Sequence, residues 1–249
     1  SRNMIPFVRS AAYILIGLLF LAIAIFSKVL MKSAGLDLAS FGIMGLLIGL
    51  SGFNDTTLLQ LMSHHPAFIR VMTYACLMFM PFPAMAFFAG ATGRSRSKWV
   101  SGMLVLCLAN FGLQVILTHR GLSDYYYLVY ISHAVIGLTF IVSIAFVILA
   151  AKEKTISKEL LRVLTIGIIS SAAGVLADIV RYYFFNSYGS TSFTRTGVFI
   201  FMILTGIHLF RSQTQALKRK HEENKVYIRE LSEAFAKVID MKDSYTNGH

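Results

Sequence analysis

The chain has 249 residues, of which 56% are hydrophobic and only 14% charged. Soluble domains carry about 25% charged residues, so this composition excludes an ordinary soluble domain and indicates a membrane protein. The formal net charge is +11, but the basic residues are scattered between apolar runs and form no stripe with interleaved aromatic residues, which argues against nucleic-acid binding.

Apolar segments recur seven times along the chain. A hydrocarbon core about 30 Å thick is crossed by about 20 helical residues at about 1.5 Å per residue. The segments lie near residues 7–30, 38–62, 68–91, 99–118, 125–150, 160–184 and 194–211. The sequence therefore predicts an all-α membrane protein, with a seven-transmembrane helix bundle over residues 1–211.

The third segment contains the sequence PFP at Pro81–Pro83. Proline removes a backbone donor and bends a spanning helix, and it is tolerated where neighbouring helices satisfy the freed carbonyls. A fixed packing kink is the simpler interpretation, and a hinge that moves during signalling is the alternative.

Basic residues are concentrated in the connections on one side of the predicted bundle. That side holds Lys28, Lys32, Arg94, Arg96, Lys98, Lys152, Lys154, Lys158, Arg211, Lys218, Arg219 and Lys220, whereas the other side holds Arg2, Arg9, Arg70, Arg120, Arg181 and Arg195. The richer side is expected to be cytoplasmic. The N-terminus would then face outward and the C-terminal helix inward.

Polar residues inside the predicted spans converge on the outer part of the bundle. Ionisable groups at membrane depth usually face the bundle interior and find a partner. The candidates for ligand binding or switching are Asn54, Asp55, Asn110, Gln114, His133, Asp178, Arg181 and Arg195. Asp178 and Arg181 are three residues apart, so they can pair with each other or with Asp55 and Arg195. A structural ion-pair network and a ligand or proton site both remain open.

Beyond the last span, residues 212–241 form a predicted cytoplasmic linker helix. Heptad spacing places apolar and polar residues on one seam, formed by Leu217, His221, Asn224, Ile228, Leu231, Phe235 and Val238. Such a seam favours a parallel coiled coil and therefore a homodimer. The alternative, a single amphipathic helix lying on the lipid headgroups, fits less well because the apolar stripe is narrow.

The C-terminal stretch AFAKVIDMKDSYTNGH resembles the start of HD-GYP domains, the cyclic di-GMP phosphodiesterases. The positions that carry the match are Lys237, Asp240, Lys242, Asp243, Tyr245, Thr246, Gly248 and His249. The resemblance implies that residues 242–249 begin a truncated catalytic domain, in which His249 would join a site for divalent iron or manganese. The other ligands, including the HD pair and the GYP loop, are absent from these 249 residues. We therefore expect no phosphodiesterase activity and no cofactor in this chain, because one histidine cannot hold a two-metal centre.

The membrane part resembles the bacterial seven-transmembrane receptors with diverse intracellular signalling modules. The stretches that carry this likeness are FGIMGLLIGLSGFNDTTLLQLMSHHPAFIRVMTYACLMFMPFPAMAFF, ADIVRYYF and FTRTGVFIFMILTGIHLF. The resemblance implies a bacterial inner-membrane receptor module that passes a signal through a dimeric helix to an HD-GYP output. Its partners would be the bilayer, a second copy of the chain and an unknown small-molecule or extracellular-domain ligand. A small-molecule transporter and a passive dimerising membrane anchor remain the alternatives.

Overall fold

The structure of the protein, a computed structural model, describes residues 4–31, 36–53, 66–185 and 192–246. All regular secondary structure within these ranges is α-helical, which confirms the predicted all-α class. The helices are α1 (Met4–Met31), α2 (Leu36–Phe53), α3 (Pro66–Phe79), α4 (Pro81–Ala91), α5 (Lys98–His119), α6 (Tyr125–Glu153), α7 (Lys158–Phe185) and α8 (Ser192–Thr246).

Six apolar stretches in the described ranges are long enough to cross a membrane, which indicates a multi-pass membrane protein. They are Phe7–Val29, Val71–Ala91, Lys98–His119, Tyr130–Glu153, Lys158–Asp178 and a part of Phe193–Lys237. The apolar stretch of α2 is shorter, Asp37–Gly52. The predicted second segment, residues 38–62, continues into residues outside the described ranges, so the seventh span stays a prediction.

The PFP sequence divides the third predicted segment into two helices. α3 ends at Phe79 and α4 begins at Pro81, because the two prolines supply no N–H group to the carbonyls one turn before them. Backbone bonds still cross the break. The N–H of Met80 donates to the carbonyl of Cys76 at 3.0 Å, and the N–H of Ala84 donates to the carbonyl of Met80 at 3.3 Å. The segment is therefore interrupted at one residue, Met80, and hydrogen-bonded on both sides of it.

α1 and α2 approach each other closely through glycines. A Cβ atom added to Gly17 would lie 2.7 Å from the carbonyl oxygen of Gly42, and one added to Gly49 would lie 2.9 Å from the carbonyl oxygen of Ser10. Both distances are shorter than a carbon–oxygen contact allows. Small residues permit this approach, which van der Waals packing rewards in a membrane where no hydrophobic force drives helices together.

An aromatic cluster connects α1, α2, α4 and the beginning of α8. The rings of Phe20 and Phe41 meet edge to face at 4.9 Å, those of Phe41 and Phe87 lie 5.4 Å apart, and Phe88 stacks on Phe201 at 5.9 Å. Phe41 and Phe87 are completely buried. Offset and edge-to-face rings at these distances add attraction beyond the area they bury. This cluster fixes the beginning of α8 in the bundle core.

The chain divides into two compact units, Ser1–Gly206 and Ile207–His249. In the second unit, every residue from Gln215 to Lys237 is exposed. α8 continues to Thr246, five residues beyond the predicted end at Met241, because no glycine or proline interrupts residues 207–246.

Candidate functional site

The first turn of α8 is capped by a carboxylate from α7. The N–H of Phe193 donates to Asp178 Oδ1 at 3.2 Å and that of Thr194 donates to Asp178 Oδ2 at 2.7 Å. N–H groups in the first turn of a helix have no partner within that helix, and the positive end of its dipole favours a negative charge. Asp178 therefore ties the start of α8 to the end of α7.

α1 contacts the same turn of α8 from another direction. Arg9 Nη1 donates to the hydroxyl of Thr196 at 3.1 Å, and the hydroxyl of Tyr13 donates to the carbonyl of Arg195 at 2.7 Å. The Tyr13 side chain is 1% exposed, and its ring meets Phe199 edge to face at 5.2 Å. A buried phenol needs such a hydrogen-bond partner. The contact between α1 and α8 at Tyr13 therefore combines a directional hydrogen bond with ring packing.

We call this group the α8 junction, defined as Arg9, Tyr13, Asp178 and residues 193–196. The charges of Arg9 and Arg195 lie close enough to interact. The junction thus brings a carboxylate and two guanidinium groups to the place where α1, α7 and α8 meet. A change in the position of α1 or α7 would act directly on the first turn of α8.

Backbone contact between α7 and α8 extends beyond the cap. A Cβ atom on Gly174 would lie 2.4 Å from the carbonyl oxygen of Phe193, and one on Gly197 would lie 2.2 Å from that of Ser170. The Ser170 hydroxyl donates to the carbonyl of Gly197 at 3.1 Å. Two helices in backbone contact cannot slide past each other without breaking these contacts. α7 and the beginning of α8 therefore form one packed pair.

A second polar group, the α5–α6 amide cluster, consists of Asn110, Gln114 and Ser132. Gln114 Nε2 donates to Asn110 Oδ1 at 2.6 Å and to the Ser132 hydroxyl at 2.8 Å. The three side chains are at most 6% exposed, and Gln114 Oε1 is buried with no hydrogen-bond partner. Polar bonds of this kind hold spanning helices together, since an amide facing hydrocarbon alone is costly.

Arg94 and Glu153 form a salt bridge at the other end of α6. The guanidinium of Arg94 also lies over the ring of Phe146, 5.9 Å from its centroid. The connection between α4 and α5 is therefore held against the end of α6. Because both charged side chains are partly exposed, the ion pair orients this connection more than it stabilises the fold.

The structure places the predicted site residues in several locations. Asn110 and Gln114 lie together in the amide cluster, and Asp178 and Arg195 lie at the α8 junction. The His133 side chain is exposed next to buried Ser132, and Arg181 is half-buried on α7. Asn54, Asp55 and His249 lie outside the described residues.

The predicted seam residues in the described part of α8 are exposed. They are Leu217, His221, Asn224, Ile228, Leu231 and Phe235, while the side chain of Val238 lies outside the described part. Exposure of 62% for Ile228 and 61% for Phe235 leaves large apolar surfaces uncovered in one copy of the chain.

Sequence reasoning missed Arg9, Tyr13 and Ser132 as members of these groups. Tyr13 and Ser132 are buried hydroxyl residues within apolar runs, and such residues in a spanning helix usually hydrogen-bond across to a neighbour. The small residues at 167, 170 and 174 of α7 repeat at helical spacing, a pattern that indicates a close helix contact. Together, the hydroxyl residues within apolar runs and the small residues at helical spacing indicate the close helix pairs α5–α6 and α7–α8.

The described side chains of the α8 junction and the α5–α6 amide cluster form hydrogen bonds between neighbouring helices. The Asp178 carboxylate is engaged by two backbone N–H groups, and the amide cluster holds neutral donors and acceptors. Within the described ranges, no three histidine, cysteine or acidic side chains come together as a metal-ion site.

No protein-family model, no curated protein and no solved structure matches the chain.

Proposed function

We propose that the chain is the membrane receptor module of a bacterial signalling protein, which passes an extracellular or intramembrane signal through a dimeric helix to a cytoplasmic HD-GYP output. The observation that carries the proposal is α8. The first turn of this 55-residue helix is held by Asp178, Tyr13 and Arg9 of the neighbouring helices. The helix then continues as an exposed helix that bears an apolar seam.

The mechanism we propose begins at the α8 junction. A ligand or an extracellular domain that shifted α1 or α7 would change the contacts that hold the first turn of α8. A continuous helix transmits rotation along its length better than a flexible linker does, and residues 207–246 of α8 contain neither glycine nor proline. Packed interfaces tend to have two discrete arrangements. Rotation of α8 would repack the seam between two copies. His221 and Asn224 are polar seam positions that keep the two arrangements close in free energy.

In this proposal, α2 together with the residues that follow it completes the seventh span, and the N-terminus lies outside. The terminal sequence AFAKVIDMKDSYTNGH supports an HD-GYP output beyond the chain. The chain itself would then have no enzymatic activity. Divalent iron or manganese would bind only to the complete output domain, with His249 among its ligands.

The test uses a protein that joins this chain to its output domain, and it inserts residues into α8 so that the part beyond the insertion is rotated about the helix axis. Insertion of one alanine after Gln215 rotates the rest of α8, including the seam, by about 100° about the helix axis. Insertion of seven residues returns the seam to within about 20° of its wild-type orientation. We expect the one-residue insertion to change the rate of cyclic di-GMP hydrolysis in membranes several-fold, and the seven-residue insertion to leave that rate close to wild type.

Equal rates in all three proteins would instead support the passive anchor, for which only dimerisation matters. Uptake of a substrate by proteoliposomes that contain the 249-residue chain alone would support the transporter. Neither result is expected from the receptor module.

A further inference from the structure

A surface groove lies between α6 and α7, next to the connection that joins them. It is about 460 Å³ in volume and is lined by Val147, Ile148, Ala151, Lys152, Leu161 and Thr165. Sites for small ligands typically measure about 300–1,000 Å³. Four of the six lining residues are aliphatic, and the small side chain of Ala151 leaves the space between the two helices open.

The charge of the groove is concentrated at one end. Lys152 lies at the rim, and Lys154 and Lys158 follow within the connection and the first turn of α7, all with exposed side chains. Residues 150–165 hold four basic and two acidic residues. One of the acidic residues, Glu153, is already paired with Arg94. The basic end therefore carries positive charge that the acidic residues of this hairpin do not balance.

Hydrogen bonds fix the backbone that carries these lysines. Lys154 adopts a left-handed conformation with φ of 54° at the end of α6, and the N–H of Thr155 donates to the carbonyl of Ala150 at 3.1 Å. The Ser157 hydroxyl accepts from the N–H of Leu160 at 3.2 Å and so caps α7. The connection is thus a built turn that holds the lysines beside the groove.

We propose that this groove binds an anionic phospholipid, with an acyl chain along Val147, Ile148 and Leu161 and the phosphate headgroup against Lys152 and Lys158. The seven-residue step from Lys158 to Thr165 covers about 10 Å at about 1.5 Å per residue. That depth carries an acyl chain from the headgroup level into the hydrocarbon region. Basic pockets between spanning helices on the side rich in anionic lipid recognise such headgroups.

The experiment is a lipid titration of the 249-residue chain, purified in an uncharged detergent and observed by native mass spectrometry. Phosphatidylglycerol and phosphatidylcholine with the same acyl chains are the probes. We expect phosphatidylglycerol to bind the wild-type chain roughly fivefold more tightly, and the Lys152→Gln/Lys158→Gln variant to lose that preference. The matched control, Lys218→Gln/Arg219→Gln, removes two exposed charges from α8 and should retain the preference for phosphatidylglycerol.

A variant that fills the groove distinguishes lipid binding in the groove from a general attraction of anionic lipid to the positive charge of the lysines. Ala151→Leu leaves every lysine in place and should weaken phosphatidylglycerol binding several-fold, and Thr165→Leu, which fills the groove from the other wall, should do the same. Circular dichroism checks that each variant is folded. Unchanged binding in the folded groove-filling variants, or equal loss in the α8 control, would overturn the proposal, and so would equal affinity for the two lipids.

Discussion

Asp178 illustrates what a single charged residue does inside this membrane domain. Its position among apolar residues was the reason to expect an ion pair with Arg181 or Arg195. In the structure, both carboxylate oxygens accept backbone N–H groups of α8. Sequence identifies a charged residue within an apolar segment, but the groups that this residue contacts depend on where the neighbouring helix begins. A shift of one or two residues in that helix start changes which donors are available.

At the residue scale, replacement of Asp178 by alanine should destabilise the folded chain by about 1 kcal/mol, because two N–H groups of α8 lose their acceptor. Asp124→Ala is the matched control. Asp124 also precedes a helix, α6, but its side chain makes no capping hydrogen bond, so we expect a change below about 0.5 kcal/mol. Unfolding in mixed detergent micelles, followed by circular dichroism, measures both values. Similar losses for the two variants would show that the Asp178 cap contributes nothing specific.

At the scale of elements, hydropathy located six of the seven predicted membrane-crossing segments, because a spanning segment must satisfy its backbone internally and match the bilayer thickness. The interruption at Met80 followed from the chemistry of Pro81 and Pro83. The closeness of α1 and α2 was not predicted, since the glycines of a helix show which face is small but not which helix lies against it. The aromatic cluster around Phe41 and Phe87 was missed for the same reason, because contacts between distant segments carry no local signal.

The contact between α1 and α2 makes a prediction about Gly17. Gly17→Ala should destabilise the chain by about 1–3 kcal/mol, because the added methyl group would meet the backbone of Gly42 and Leu46 at 2.7 Å and force the two helices apart. Gly137→Ala is the control, since nothing lies within 4 Å of a Cβ atom there. We expect that control to be neutral or to stabilise α6 by up to about 1 kcal/mol. Unfolding in mixed detergent micelles, followed by circular dichroism, measures the stability of both variants. A Gly17 variant as stable as the Gly137 variant would refute the close contact between α1 and α2.

At the scale of the whole molecule, the proposed function depends on α8 being one continuous helix with a packed first part and an exposed second part. One face of its first part is buried, including Phe201 and Met202. Residues 215–237 are exposed, with polar and charged side chains on most faces. Ion pairs such as Arg229–Glu233 at 3.0 Å support the helix locally, with only a few tenths of a kcal/mol each. An isolated helix with so little packing is marginal in water. A second copy that covers Ile228, Leu231 and Phe235 would supply the missing burial, and this is why the proposed dimer is central to the function.

Disulfide cross-linking in native membranes tests that dimer most directly. With Cys76 and Cys107 replaced by serine, single cysteines are introduced as Ile228→Cys, on the seam, or Val226→Cys, which is comparably exposed at 56% but lies off the seam. We expect rapid formation of cross-linked dimer under mild oxidation for Ile228→Cys and little for Val226→Cys. Equal cross-linking at the two positions, or none at either, would contradict a dimer formed through this seam and with it the proposed route of the signal.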